Sequence, residues 1–298
     1  MPLLLLLRSS RSRLSFRRWV ITLILTTEGD DLPRLSQKSD FVFAFFWLPL
    51  KMNEVKMNFF ASLRHAANRV GFDFCRVSRS RMGRVLAVDM HILSPDGGLI
   101  FDVGANTGRA ARLFSGIFPG SPIWSFEPGA EAFKELSDAE DLRHVKKFNM
   151  ALSDSDGSAT LHIFYGSQLN SLLPHEAAGQ RHDPELIPQG TTQVQTMRLD
   201  TFCERQHVSK IEILKLDTQG FELHVLRGAE RLLRSGAINL IYLEVHFVPV
   251  YQGQPAIADI FRVMSQFGFG LIGYYDASRN SDGSIKCCDF LFKRNSNL

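Results

Sequence analysis

The sequence predicts an α/β, Rossmann-like domain, a largely parallel sheet with helices on both faces. Three observations carry that reading. Leu99–Gly108, LIFDVGANTG, runs from a buried strand through a glycine turn into a helix start. After it, short apolar runs alternate with helical periodicities, the pattern of βα units. Three of those runs close on an acid, at Asp102, Glu127 and Asp217, and ligands bind at the carboxyl edge of open α/β sheets.

Taken in order, residues 1–57 stand apart. Pro2–Leu7 is apolar, Arg8, Arg11, Arg13, Arg17 and Arg18 follow, and Trp19–Leu25 is apolar again. The charges follow the first apolar run and no small-residue cleavage site stands out, unlike a signal peptide. Phe41–Leu50 is about half the ~20 residues a membrane-spanning helix needs. The expectation is a poorly ordered basic and apolar extension produced by an upstream start codon, with Met52 or Met57 as the true start. Residues 58–98 read as a helical lead-in. Phe59, Phe60, Leu63, Ala66, Ala67 and Val70 recur at helical spacing, Val85–Leu93 forms a second helix, and Pro95-Asp96-Gly97-Gly98 closes it as a turn.

Residues 99–298 form the main domain. Strands are expected at Leu99–Val103, Ile123–Glu127, Val145–Leu152, Ile211–Leu216, Ile238–Val245, Leu271–Tyr275 and Lys286–Lys293. Helices are expected from Gly108, over Ala130–Leu136, over Phe221–Leu233 and over Ile257–Phe267, the last stopped by Gly268. Ser158–Phe164 alternates like an added antiparallel strand, and 166–195 reads as a long irregular insertion, a length that in a compact domain points to function or disorder.

Composition narrows the partners. With 298 residues the chain can bury one large core plus an appendage. Residues 1–98 carry 15 Lys/Arg against 8 Asp/Glu, the remainder 19 against 23. The basic excess sits in the lead-in and the main domain is mildly acidic, which argues against nucleic-acid binding there. Cys75, Cys203, Cys287 and Cys288 form no C-x-x-C pair, so a reducing, cytoplasmic setting is expected.

The glycine corner lacks the second glycine of G-x-G-x-x-G, since Ala105 and Asn106 stand there, and no Gly-Lys-Ser/Thr follows as in a P-loop. A different adenosine-bearing ligand is therefore expected, with Gly104 allowing close approach to the backbone and Glu127 accepting hydrogen bonds from a ribose diol. Asp217 and His246 close later strands at the same edge. His is the side chain best tuned to remove a proton near neutral pH. Glu222, in a first helical turn, has a dipole reason to be there whatever its function, and Glu244 reads as a partner of a strand-end group. His175 and His182 show no metal spacing, His224 reads as surface or packing, and no metal is expected.

DVGANTG, SFEP, NMALSDSDGSATLHIF with NSLL, TMRLDTF, LKLDTQGFELHVLRGAERLL and LEVHFVPVYQGQ together resemble the FkbM family of S-adenosylmethionine-dependent methyltransferases, from about Leu99 to about Phe292. The resemblance implies the class I methyltransferase fold, a seven-stranded mainly parallel sheet with one antiparallel strand, and methyl transfer from S-adenosylmethionine to a hydroxyl of a sugar or secondary metabolite. It implies that Asp102, Gly104, Asn106 and Gly108 surround the methionine half of the cofactor, that Glu127 binds the ribose, and that Ala151, Leu152 and Ser153 lie along the adenine. Asn170 and Ser171 match a further motif that caps cofactor or acceptor. An acidic corner suits a donor bearing an ammonium and a sulfonium and would repel a phosphate. The expected partner is a small molecule or glycan bearing a hydroxyl, without membrane attachment. Two rivals stay open: a nucleotide-dependent oxidoreductase on a related sheet, and a non-catalytic member that binds cofactor or glycan.

Overall fold

A computed structural model of the chain describes residues 3–11, 17–25 and 82–295, apart from 178, 182 and 184. It divides into two compact units, Met1–Val77 and Ser78–Leu298. In the first, strands β1 (Leu3–Arg11) and β2 (Arg17–Leu25) pair antiparallel. The rest of the extension expected over 1–57, the helix expected over 58–77 and Cys75 lie outside the described residues.

The second unit opens with helix α1 (Leu86–Leu93), strand β3 (Ile100–Val103), α2 (Arg109–Ile117), β4 (Ile123–Phe126), α3 (Ala130–Asp138) and β5 (Lys146–Phe148). Strands β6 (Ala151–Ser153), β7 (Gly157–Phe164) and β8 (Pro188–Arg198) follow, then α4 (Leu199–Arg205) and β9 (Ile211–Leu216). The chain continues with α5 (Glu222–Arg227), α6 (Glu230–Ser235), β10 (Ile238–His246), α7 (Ile257–Gln266), β11 (Phe269–Arg279) and β12 (Ile285–Arg294).

Seven strands form the main sheet in the order β11-β12-β10-β9-β3-β4-β5. Strands β10, β9, β3, β4 and β5 are mutually parallel, and β12 runs antiparallel to both β10 and β11. This is the class I methyltransferase sheet. Alternation along the central strands sends side chains into two cores. Phe101, Val103, Leu214, Leu216, Ile241 and Leu243 face one. Ile100, Ile213, Leu240, Tyr242 and Leu291 face the other, against Phe114 and Phe118. Because both faces are covered, these strands read as unbroken apolar runs. Among the described residues no helix is long and apolar enough to cross a membrane.

Three expectations are corrected. Val145–Leu152 is not one strand: β5 stays in the main sheet, while β6 joins a second sheet of order β6-β8-β7. The break falls at Asn149, whose amide donates to Glu127 O and Pro128 O. The irregular insertion is shorter than expected, because β8 pairs antiparallel with β7 and parallel with β6. Its outward face is almost wholly exposed and polar, which hid the strand. The helix expected over 221–233 is two short helices divided at Gly228 and Ala229. A Cβ on Gly228 would lie 1.9 Å from Ser153 O, so β6 passes where an ordinary side chain would sit.

Candidate active site

Strand β3 leaves the sheet through Gly104 (φ +72), Asn106 (φ +45) and Gly108 (φ +93), all in the left-handed region. One close neighbour of Gly104 is the end of the adjacent strand. A Cβ there would lie 1.8 Å from Asp217 O. A Cβ on Gly108 would strike Leu142 and Leu136, so this glycine seats α2 on the α3 side of the core. Asn106 is held on both sides: its Nδ2 donates to Ser167 Oγ at 3.0 Å and its Oδ1 accepts from Thr107 N at 2.8 Å.

Glu127, just past β4, bridges this turn to its own. Its Oε2 accepts from Asn106 N at 2.8 Å and its Oε1 from Gly129 N at 2.7 Å. Burial pushes its carboxyl up to about 7 despite those two bonds. Each oxygen keeps a lone pair for a further donor. Leu152 packs into the core beside Phe126, leaving only its backbone for a ligand, and Ser153 is buried next to it. Asn170 and Ser171 hold the loop: Asn170 Oδ1 accepts from Phe164 N, and Ser171 Oγ donates to Gln219 O.

A second cluster follows from the sheet's alternation. Asp102 continues the row of Ile100, Lys215 that of Ile213, Glu244 and His246 that of Leu240 and Tyr242, and Asp289 that of Leu291. One face of the sheet thus changes from hydrocarbon to charge toward the edge where the parallel strands have their carboxyl ends. Asp102 stands in register opposite Lys215, and Glu244 opposite Asp289.

Lys215 is the hub that sequence reasoning missed. Its Nζ lies 3.0 Å from Asp102 Oδ1 and 3.5 Å from Asp217 Oδ2, and it donates to Gly104 O at 2.8 Å. Desolvation works against its charge, but the Asp102 and Asp217 carboxylates win and hold its pKa above the ordinary lysine range. Asp102 is wholly buried, with Ser125 Oγ as its other partner at 3.3 Å. It therefore acts on the sheet edge through Lys215, whereas Asp217 exposes 40% of its side chain there. Desolvation, opposed by Lys215 and reinforced by Glu244, raises the Asp217 pKa.

Gln219 links this ion pair to the histidine. Its Nε2 donates to Asp217 Oδ1 at 2.9 Å and to Glu244 Oε2 at 2.8 Å, while its Oε1 accepts from the Tyr251 hydroxyl at 2.9 Å. Glu244 Oε2 lies 3.3 Å from His246 Nε2. Desolvation lowers the His246 pKa, but the Glu244 contact outweighs it and the net shift is upward. Both His246 ring nitrogens are buried and complete no hydrogen bond among the described residues; Nε2 is the one that faces Glu244. The ring lines a narrow crevice with Gly220, Glu222, Glu244, Gln254 and Ile260. Glu222 Oε1 accepts from Thr218 N, Thr218 Oγ1 and Gly220 N, fixing the turn after β9. His224 stacks on Phe221 and pairs with Asp154, away from this network. Among the described residues no group of three or more His, Cys, Asp or Glu side chains could hold a metal ion.

Residues 102–271 match the Methyltransferase FkbM domain. The chain belongs to the FkbM methyltransferase family. Among curated relatives of this FkbM chain, 2-O-methyltransferase NoeI of Sinorhizobium fredii is 27% identical over 190 residues, covering 59% of this chain and 76% of NoeI. Hexuronic acid methyltransferase AglP of Haloferax volcanii is 28% identical over 150 residues, covering 50% of this chain and 56% of AglP. The FkbM chain thus spans just over half the length of AglP. The solved structure of magnesium protoporphyrin IX methyltransferase from Synechocystis, with bound S-adenosylmethionine, aligns with a TM-score of 0.39 at 11% identity, over 82% of this chain and 86% of that one. The strand order above, rather than that likeness, fixes the fold.

S-adenosylmethionine is the cofactor of the FkbM methyltransferase, and the residues present fit it. Buried Glu127 keeps acceptor capacity for a diol beside the 104–107 turn. The partly exposed carboxylate of Asp217 suits a cation, and the first-turn amides of α2 offer donors to a carboxylate.

Proposed function

We propose that the chain is an O-methyltransferase that moves a methyl group from S-adenosylmethionine to a sugar hydroxyl, with His246 as general base. The observation that carries this is the buried His246 ring at the carboxyl edge, its Nε2 at ion-pair distance from Glu244 and neither nitrogen completing a hydrogen bond among the described residues. The printed names of NoeI, a 2-O-methyltransferase, and AglP, a hexuronic acid methyltransferase, support a sugar hydroxyl as acceptor.

Bound at this edge, the cofactor supplies a methyl group on a sulfonium, which leaves as a neutral thioether. The chain's own residues do the rest. Glu127 takes the ribose diol, the backbone of 104–108 lies along the methionine half, and the backbone of Leu152 and Ser153 along the adenine. Asp217, set by Lys215 and Gln219, orients the acceptor or the donor's ammonium. Neutral His246 receives the acceptor proton at Nδ1 as the O–H bond breaks and the new O–C bond forms. Glu244 balances the imidazolium that results. Holding acceptor and donor in line contributes several kcal/mol to lowering the barrier, and a positioned base a further ~10²–10⁴-fold in rate. A reducing, cytoplasmic setting belongs to the same proposal, supported by the free thiols of Cys203, Cys287 and Cys288.

Transfer of labelled methyl from S-adenosylmethionine to a panel of methyl glycosides tests this. Label recovered as a methyl ether on a glycoside, and lost in His246→Ala, is the expected result. Label on nitrogen or sulfur acceptors alone would refute it.

A further inference from the structure

Gln219 occupies a backbone position that does not suit it. At φ +55 it lies in the left-handed region, directly before Gly220 at φ +88. Glutamine, unlike glycine or asparagine, has no conformational reason to be there. Strain kept at such a position points to what the side chain does. That side chain is buried and completely engaged. Its Nε2 commits both N–H bonds, one to Asp217 Oδ1 and one to Glu244 Oε2. Its Oε1 accepts from the hydroxyl of buried Tyr251. The amide can face only this way, because two ionised carboxylates accept and never donate. The backbone oxygen accepts from Ser171 Oγ at 2.7 Å.

The surroundings suit an uncharged double donor. Asp217 and Glu244 are like charges, with Lys215 beside the first and His246 beside the second. Glu244 Oε2, the oxygen that takes the Gln219 amide, is also the one 3.3 Å from His246 Nε2. Around that ring lie Glu244 from its own strand, Glu222 from α5 and Asp217 from the end of β9. Cys287 stands opposite on β12, and the Tyr251 ring lies edge-on at 5.9 Å. The charged groups among these are all acids. An amide satisfies two of them without adding a cation or a further carboxylate.

We infer that Gln219 is a positioning residue of methyl transfer: its amide clamps Asp217 and Glu244 side by side and, through the shared Glu244 oxygen, sets the His246 ring. This rests on His246 as the general base and deepens that reading. Without the amide each carboxylate loses a donor and the two repel one another. The cluster then holds a proton more strongly, and His246 stays charged to higher pH. That is the opposite of the change expected when Glu244 loses its charge.

The test follows the ring itself and needs no acceptor. Full-length protein is titrated by NMR through the His246 Cε1–H signal, assigned by its loss in His246→Ala, with folding checked by cooperative thermal unfolding. Gln219→Met keeps the length and removes both donors. Gln219→Asn is at ease with a left-handed backbone but too short to reach both carboxylates. In each, the ring is expected to bind its proton at least about threefold more tightly than in the parent. With any glycoside that is methylated, the rising limb of kcat should move to higher pH in step. A folded variant of either kind with the parent titration would overturn the inference, and loss of folding in both would overturn it likewise, making Gln219 a residue of the fold alone. Methyl transfer at the parent rate by His246→Ala would remove the base assignment and the inference with it. An unmoved titration beside an inactive His246→Ala removes the inference alone.

Discussion

His246→Ala removes a buried ring at the carboxyl edge whose nitrogens complete no hydrogen bond among the described residues. The expected outcome is a fall in kcat of about 10²-fold or more with little change in affinity for S-adenosylmethionine, measured by steady-state kinetics and calorimetry. The pH dependence carries a sign. A base must be neutral to accept a proton, and Glu244 raises the His246 pKa, so activity should climb with pH along a limb above the ordinary imidazole range. Glu244→Gln should move that limb to lower pH. Lys215 raises a different question, because removing it leaves the buried Asp102 carboxyl without its cation, with Ser125 as its remaining partner. Lys215→Met should cost about 3–5 kcal/mol of stability, read from urea denaturation, and Asp102→Asn in the same chain should recover part of it. His246 and Asp217 were legible because each polar residue stands at the end of an apolar run. Lys215 was not, since one lysine between two leucines reads as an interruption of LKLD. The available signal was the row: Lys215 falls two places after Ile213, as Asp102 does after Ile100.

The glycines separate local conformation from packing. Gly228 has an ordinary helical backbone (φ −68), so alanine there carries no conformational penalty, yet its Cβ would lie 1.9 Å from Ser153 O. Gly228→Ala should therefore destabilise the protein by about 1–3 kcal/mol through overpacking, seen as a lower thermal midpoint. An unchanged midpoint would mean that β6 can move away freely. Gly104 was read from the sequence as making room for ligand, and the fold adds a second demand on it, room for the carbonyl of Asp217. The sequence could not display that demand, because the close neighbour is over a hundred residues further along the chain. Strand β8 went unread for another reason. Its run QGTTQVQ buries Val194 alone, too little apolar alternation to mark a strand whose inner face packs only on a small cluster with Ala151 and Leu161. Helix α4, LDTFCER, is too short for helical periodicity to declare itself.

Across the molecule, charge and hydrocarbon are divided along the strands. The sheet's interior is apolar on both faces, and one face ends in Asp102, Lys215, Glu244, His246 and Asp289. That architecture was legible in outline, because parallel strands buried on both sides leave continuous apolar runs with polar residues where they stop. Ligand binding should register globally. S-adenosylhomocysteine at about 100 times its Kd should stabilise the fold by about 2.7 kcal/mol, raising the thermal midpoint by several degrees, while NAD should leave it unchanged. A shift with NAD would return the oxidoreductase reading. The most direct measurement is a crystal structure of the chain with S-adenosylhomocysteine. The account predicts the ribose hydroxyls on Glu127, the amino acid half along residues 104–108, and the sulfur facing the crevice beside His246. The product bound elsewhere, or the sulfur turned away from His246 with that crevice closed to it, would contradict it.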